Sequence, residues 1–186
     1  MEIWDVMDAE GQVTGRTILR GDRLLAGQYH LVTHIWIVNA AGHLLIQRRA
    51  DSLKLLPGIW AVTSGSAVTG EDSLTAARRE LREELGIAAG KEDFHLLGRL
   101  RRRNSFCDLW LLRSEIKVER LILQENEVAE ARWVSFQDLR RMVDHGLFHN
   151  YGNLYFKKVQ QYVQKAVSGG TGIKSGKTKY KNGKNA

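Results

Sequence analysis

Residues 65–87 read GSAVTGEDSLTAARRELREELGI, and helical geometry turns this run into a patch of acid beside a buried stripe. Asp72 or Ser73 can accept hydrogen bonds from the exposed amides of a first turn. Leu74, Ala77, Leu81 and Leu85 then recur at three- and four-residue spacing, and Gly86 ends the helix. At about 100° per residue, Glu80, Glu83 and Glu84 fall within roughly 100° of arc, with the leucine stripe centred roughly 120° away. The acids therefore stand beside the buried face, where a cleft wall would be. Glu80 and Glu84 are like charges one turn apart, which costs about 0.2–0.5 kcal/mol unless a cation offsets it. Two kinds of cation could do so. Arg78, Arg79 and Arg82 share the helix and could pair with the acids on a solvated surface. Mg2+ or Mn2+, which prefer oxygen ligands and keep positions open for phosphate and water, could bridge them instead. No cysteine/histidine cluster at zinc spacing competes.

The rest of the chain supplies a sheet for such a helix to cover. Residues 2–6 form a strand candidate with a turn at Asp8–Gly11, so an N-terminal hairpin is expected within residues 1–29. The runs 31–38 and 43–49, β-branched and aromatic, read as two strands joined by a turn. Pro57-Gly58 marks a turn before a short strand at 60–62. Further strands are expected near 94–101, 107–112 and 131–134. Ser135 to Asp138 opens a second helix with a box-like cap, and a third covers 154–167. Strands mixed with fewer helices imply an α+β sandwich.

Composition narrows the partners. Hydrophobic residues are 43% and charged residues 26% of 186, ordinary for one soluble domain. The net charge of +7 includes five lysines after Gly169 (174, 177, 179, 181 and 184) with no acid among them, leaving about +2 for the body. No basic face is implied, and no nucleic-acid partner is expected. Residues 168–186 are Gly/Lys-rich, without hydrophobic pattern, and expected to be disordered; residues 1–167 form a single domain. The single cysteine, Cys107, allows no intrachain disulfide and reads as a buried apolar residue. No run approaches the ~20 apolar residues of a membrane helix, and no secretory signal is visible, so a cytoplasmic protein is expected.

Gly65, Glu71 and the segment Arg79-Glu80-Leu81-Arg82-Glu83-Glu84-Leu85-Gly86-Ile87 resemble the Nudix box at each of its defined positions. The resemblance implies an α/β/α sandwich with a mixed sheet and a loop–helix–loop that binds Mg2+ or Mn2+. By this likeness Glu80, Glu83 and Glu84 are metal ligands, joined by the backbone carbonyl of Ser64. Arg79 and Glu71 form a supporting pair, Gly65 and Gly86 supporting turns. The implied activity is hydrolysis of a diphosphate linkage in a small nucleotide-like or other organic diphosphate. A bound cation lowers the pKa of water, and a carboxylate accepts its proton. The base is Glu83 or, from the acidic segment before the last strand, Glu127; Glu80 is the further catalytic candidate, and Glu125 the other acid of that segment. Arg48 and Arg49 end a strand pointing toward the box, and alternation lets one of them reach substrate phosphate.

Residues 29–87 also resemble the branch containing type I isopentenyl-diphosphate isomerase and its hydrolase-like relatives. The likeness lies in His30, the 44–49 strand, Pro57-Gly58-Ile59-Trp60 and the box. The isomerase uses a cysteine just before the box glycine and a histidine just after it. Here they are Ser64 and Ser66, which favours hydrolysis. His30 is then a core or cleft histidine without its metal-binding partner. A non-catalytic nucleotide- or RNA-binding module is the third reading, set against the complete glutamate set. Substrate selectivity is expected from residues 1–29 and 99–108, and a homodimer is left open.

Overall fold

A computed structural model of the chain describes residues 2–168 and 179–180. Its centre is β3 (His30–Val38), whose alternation feeds two cores. Ile35 and Ile37 project to one face, Trp36 and Val38 to the other, and all four are fully buried. β4 (Leu44–Arg49) pairs antiparallel with β3, whereas β9 (Ser105–Arg113) runs parallel to it. β10 (Val128–Val134) extends the sheet beyond β4, and β8 (Phe94–Arg101) beyond β9, giving the order β10-β4-β3-β9-β8.

α1 (Ser73–Leu85) covers one face, with Ala77, Leu81 and Leu85 against Ile35, Ile37 and Leu45. α2 (Phe136–Asp144) and α3 (Asn153–Val167) cover the other. There Leu139, Met142, Phe156 and Val159 pack on Trp36, Leu44 and Ile46. The result is an α+β, three-layer α/β/α sandwich around a mixed sheet.

Three strands differ from the pattern read in sequence. The segment 60–66 divides: β5 (Trp60–Ala61) pairs with Arg48 and Gln47 of β4, whereas β6 (Thr63–Ser66) pairs with β3. Thr-Ser-Gly-Ser has little intrinsic strand preference, and its pairing comes from a partner thirty residues away. β9 begins at Ser105 and β10 at Val128, both earlier than the apolar runs suggest, because ladder bonds extend into polar sequence.

β1 (Ile3–Met7) and β2 (Val13–Leu19) form a separate antiparallel hairpin. It is strapped to the loop before α1. Thr69 N–H donates to Ile3 O at 2.9 Å, and Gly70 N–H to the Asp5 carboxylate at 2.8 Å. Trp4 stacks on His30 with ring centroids 4.2 Å apart. Most of the Gly/Lys-rich tail lies outside the described residues. Within it, β11 (Lys179–Tyr180) pairs with β7 (Ile87–Ala88). No helix of the described residues is long and apolar enough to cross a membrane.

Candidate active site

The orientation of α1 is fixed at both ends and along one side. The Asp72 carboxylate accepts from Thr75 N–H at 2.7 Å, satisfying a first-turn amide. Gly86, at φ 69°, donates its N–H back to Arg82 O, a backbone geometry that favours glycine. Leu81 and Leu85 are buried in the sheet. This registration turns Glu80, Glu83 and Glu84 onto the wall of a cavity of about 310 Å3.

Arg79 organises the acids. Its Nε and Nη2 donate to the two oxygens of Glu71 at 2.9 Å each, a forked pair. Its Nη1 reaches Glu80 at 2.8 Å and Glu83 at 3.2 Å, and Nη2 also donates to Ser66 O at 3.0 Å. Burial pushes Glu71 upward, but the hydrogen bonds from Arg79 and Val68 outweigh it and hold the carboxyl below its ordinary value. Gly65 makes room for this arrangement: a Cβ there would fall on the Glu80 carboxyl and displace it.

Glu84 is 5% exposed, and its Oε2 accepts from Gln47 Nε2 at 2.7 Å. Thr63 Oγ1 donates to Gln47 Oε1 at 2.9 Å, orienting the amide. Burial pushes Glu84 up to about 8 against that hydrogen bond, and Glu80 up to about 7 against the pull of Arg79. Glu84 is buried and Glu80 partly buried, and the protein does not fully balance their negative charge. An all-oxygen set with such a deficit fits a hard divalent cation. Among the described residues, however, no three Asp, Glu, His or Cys side chains converge as a ready-built metal site. The reason is local: Arg79 holds Glu80 and Glu83, and Gln47 holds Glu84.

Ser64 and Glu127 line the same cavity as the three box glutamates. Glu127 is anchored there by its own backbone, whose carbonyl accepts from Ala50 N–H at 2.9 Å. Glu125 is exposed and away from the lining. Of the two strand-end arginines, Arg49 lines the cavity, steadied by its Nε bond to Leu55 O at 3.0 Å. Arg48 does not: it lies on the opposite face, paired with Asp51 at 3.0 Å and near Glu130 at 3.7 Å. Strand alternation forces this split, since Gln47 and Arg49 share the α1 side.

Several lining residues carry no motif. His34, His149 and Arg102 line it as a cluster around the Tyr151 ring, and Glu2 and Arg20 from the hairpin reach the lining as a pair 2.8 Å apart. Arg102 and the hairpin come from the two segments expected to set selectivity. His34 and Tyr151 gave no spacing signal, because β3 and the segment just before α3 bring them together over more than a hundred residues.

Residues 28–153 match the NUDIX domain family. The chain is 37% identical over 158 residues to an uncharacterised Nudix hydrolase of Listeria monocytogenes, covering 81% of this chain and 90% of that protein. It is 31% identical over 156 residues to Nudix hydrolase 3 of Arabidopsis thaliana, covering 76% of this chain but 20% of that longer one. A crystal structure of a Deinococcus radiodurans protein matches with TM-score 0.69 at 26% identity, over 88% of this chain and 98% of that one. The chain belongs to the Nudix family. Within it, the relatives place it among the Nudix hydrolases, and it is an enzyme of that class.

Proposed function

We propose that this Nudix hydrolase cleaves, with a divalent metal, a diphosphate linkage in a nucleoside diphosphate derivative or other small organic diphosphate. The observation that carries the reading is the gathering of Glu80, Glu83, Glu84 and Glu127 on one cavity that also holds Arg49. Glu80, Glu83, Glu84 and the Ser64 carbonyl would hold Mg2+ or Mn2+. Such an ion, when bound, offsets phosphate charge and acidifies water. Arg49 supplies a cation for a phosphate oxygen. Arg79, through Glu71, keeps Glu80 in place. Glu83 is 46% exposed at its side chain and can turn away from Arg79; it or Glu127 accepts the proton of the attacking water. The lone thiol supports a reducing, cytoplasmic setting.

Isomerisation of the isoprenoid type is not adopted. Positions 64 and 66 are serines, and burial pushes the fully buried Cys107 thiol up to about 12. A binding-only module is disfavoured by the intact glutamates.

Turnover of a panel of nucleoside diphosphates, nucleotide sugars, dinucleotides and isoprenoid diphosphates with Mg2+ tests the proposal. We expect metal-dependent release of phosphorylated products, reduced at least a hundredfold in Glu83→Gln and Glu84→Gln (on the order of 3 kcal/mol of barrier). Binding without turnover, or turnover indifferent to both substitutions, would contradict it.

A further inference from the structure

We infer that His34 is a specificity-determining residue, its Nε2–H fixed as a donor to the cavity from the sheet face opposite α1. There it selects substrates whose organic part presents a hydrogen-bond acceptor. This rests on the hydrolase reading for what the cavity holds, and adds which chemistry the non-phosphate part must have.

The tautomer follows from a buried chain of three residues. Trp36 Nε1 can only donate, so the Tyr155 hydroxyl 2.9 Å away accepts from it. The same hydroxyl lies 2.7 Å from His34 Nδ1. Trp36 and Tyr155 are buried, and the hydroxyl's own hydrogen has no other recipient among the described residues. Were Nδ1 protonated, the hydroxyl would accept twice and strand its hydrogen in the core as an unsatisfied donor. With Nδ1 as acceptor every group is satisfied, and the ring proton sits on Nε2. Trp36 and Tyr155 are thus positioning residues. His34 is 97% buried (3% exposed), and what it does expose belongs to the cavity wall. Its Nε2 has no partner among the described residues.

The surroundings make that donor rigid. Tyr151 stacks on Tyr155 at 4.7 Å and meets His34 and His149 edge-on at 4.9 and 4.5 Å. The Arg102 guanidinium lies 5.8 Å over the Tyr151 ring, adding further N–H donors. A hydrocarbon chain placed here would cover the His34 N–H without satisfying it. A ring carbonyl, ring nitrogen or sugar oxygen would accept from it. Sites built around a hydrogen bond reject analogues that lack the partner far more strongly than apolar sites reject an extra group.

Calorimetric binding of uridine monophosphate and dimethylallyl monophosphate to wild type, His34→Phe, His34→Gln and Tyr155→Phe tests this. Neither probe contains a diphosphate linkage, so the result reads the same whether or not the protein proves to be a diphosphate hydrolase. Wild type is expected to prefer uridine monophosphate. His34→Phe lowers that preference by about tenfold, and His34→Gln, whose amide can donate, recovers part of it. Tyr155→Phe lowers it severalfold by freeing the ring to change tautomer. Long-range 1H–15N spectra show an unprotonated His34 Nδ1 in wild type and a tautomer mixture in Tyr155→Phe. An unchanged preference in His34→Phe, or a proton on Nδ1 in wild type, overturns the inference. If His34→Phe does not fold, Tyr155→Phe decides: unchanged tautomer and unchanged preference overturn it equally.

Discussion

Arg79 balances the site from a single side chain. It neutralises Glu71 through a forked contact and spreads its remaining N–H groups over Glu80, Glu83 and the Ser66 carbonyl. Removing it would leave partly buried acids facing one another. Arg79→Met should therefore lose about 3–5 kcal/mol of stability in urea unfolding, together with activity. Arg79→Lys should recover part of the charge without the fork, and so only part of either. Gly65 is limited by space and not by its backbone angles. Gly65→Ala places a methyl where the Glu80 carboxyl lies, so we expect a loss on the order of 1–3 kcal/mol and a larger loss of turnover. An alanine variant as active as wild type would show that Glu80 need not stand there.

At the level of elements, α1 presents its glutamates to the cavity because its boundaries and inner face leave it one orientation. Asp72→Ala should cost about 1 kcal/mol through the lost cap, and Leu81→Ala about 2–5 kcal/mol through a cavity under the helix. Both are measured by chemical unfolding, and Leu81→Ala should also weaken turnover by letting the acids shift. This element was legible in sequence: Asp72, the Leu74–Leu85 spacing and Gly86 are local signals that survive folding unchanged. β6 was not, since Thr63-Ser64-Gly65-Ser66 becomes a strand only by pairing with Val32 to Ile35. The same limit hid Gln47 as the partner of Glu84 and Thr63 as the partner of Gln47, contacts that no spacing along the chain encodes. It also left Arg48 and Arg49 undivided until the facing of β4 separated them.

For the whole molecule, the sandwich supplies the glutamates and the hairpin supplies a rim. The Trp4–His30 stack joins the two. Burial, and then the charge of Arg20, lower His30 from 6.5 to about 4. A base whose folded pKa is depressed is neutral in the fold and protonated more readily in the unfolded chain. Its contribution is therefore present above pH 6.5 and lost as pH falls from 6.5 toward 4. Between pH 6.5 and 4 the urea midpoint of wild type should fall relative to that of His30→Phe, a difference that cancels the opposite trend of the raised Glu80 and Glu84 carboxyls; parallel curves would show that His30 does not titrate between the two states in that window. The three-layer fold and the acid cluster could be read from periodicity and the box. The cluster around Tyr151 could not, because His34, Arg102, His149 and Tyr151 meet only once the sheet and the segment before α3 are assembled.

The reaction proposed for this cavity is the breaking of a phosphorus–oxygen bond by water. It is tested most directly by supplying a turned-over diphosphate with Mg2+ in 18O-enriched water and following the products by mass spectrometry. One solvent oxygen is expected in one of the two phosphorylated products per turnover, with no turnover when the metal is withheld. Substrate consumed with no label incorporated would contradict it.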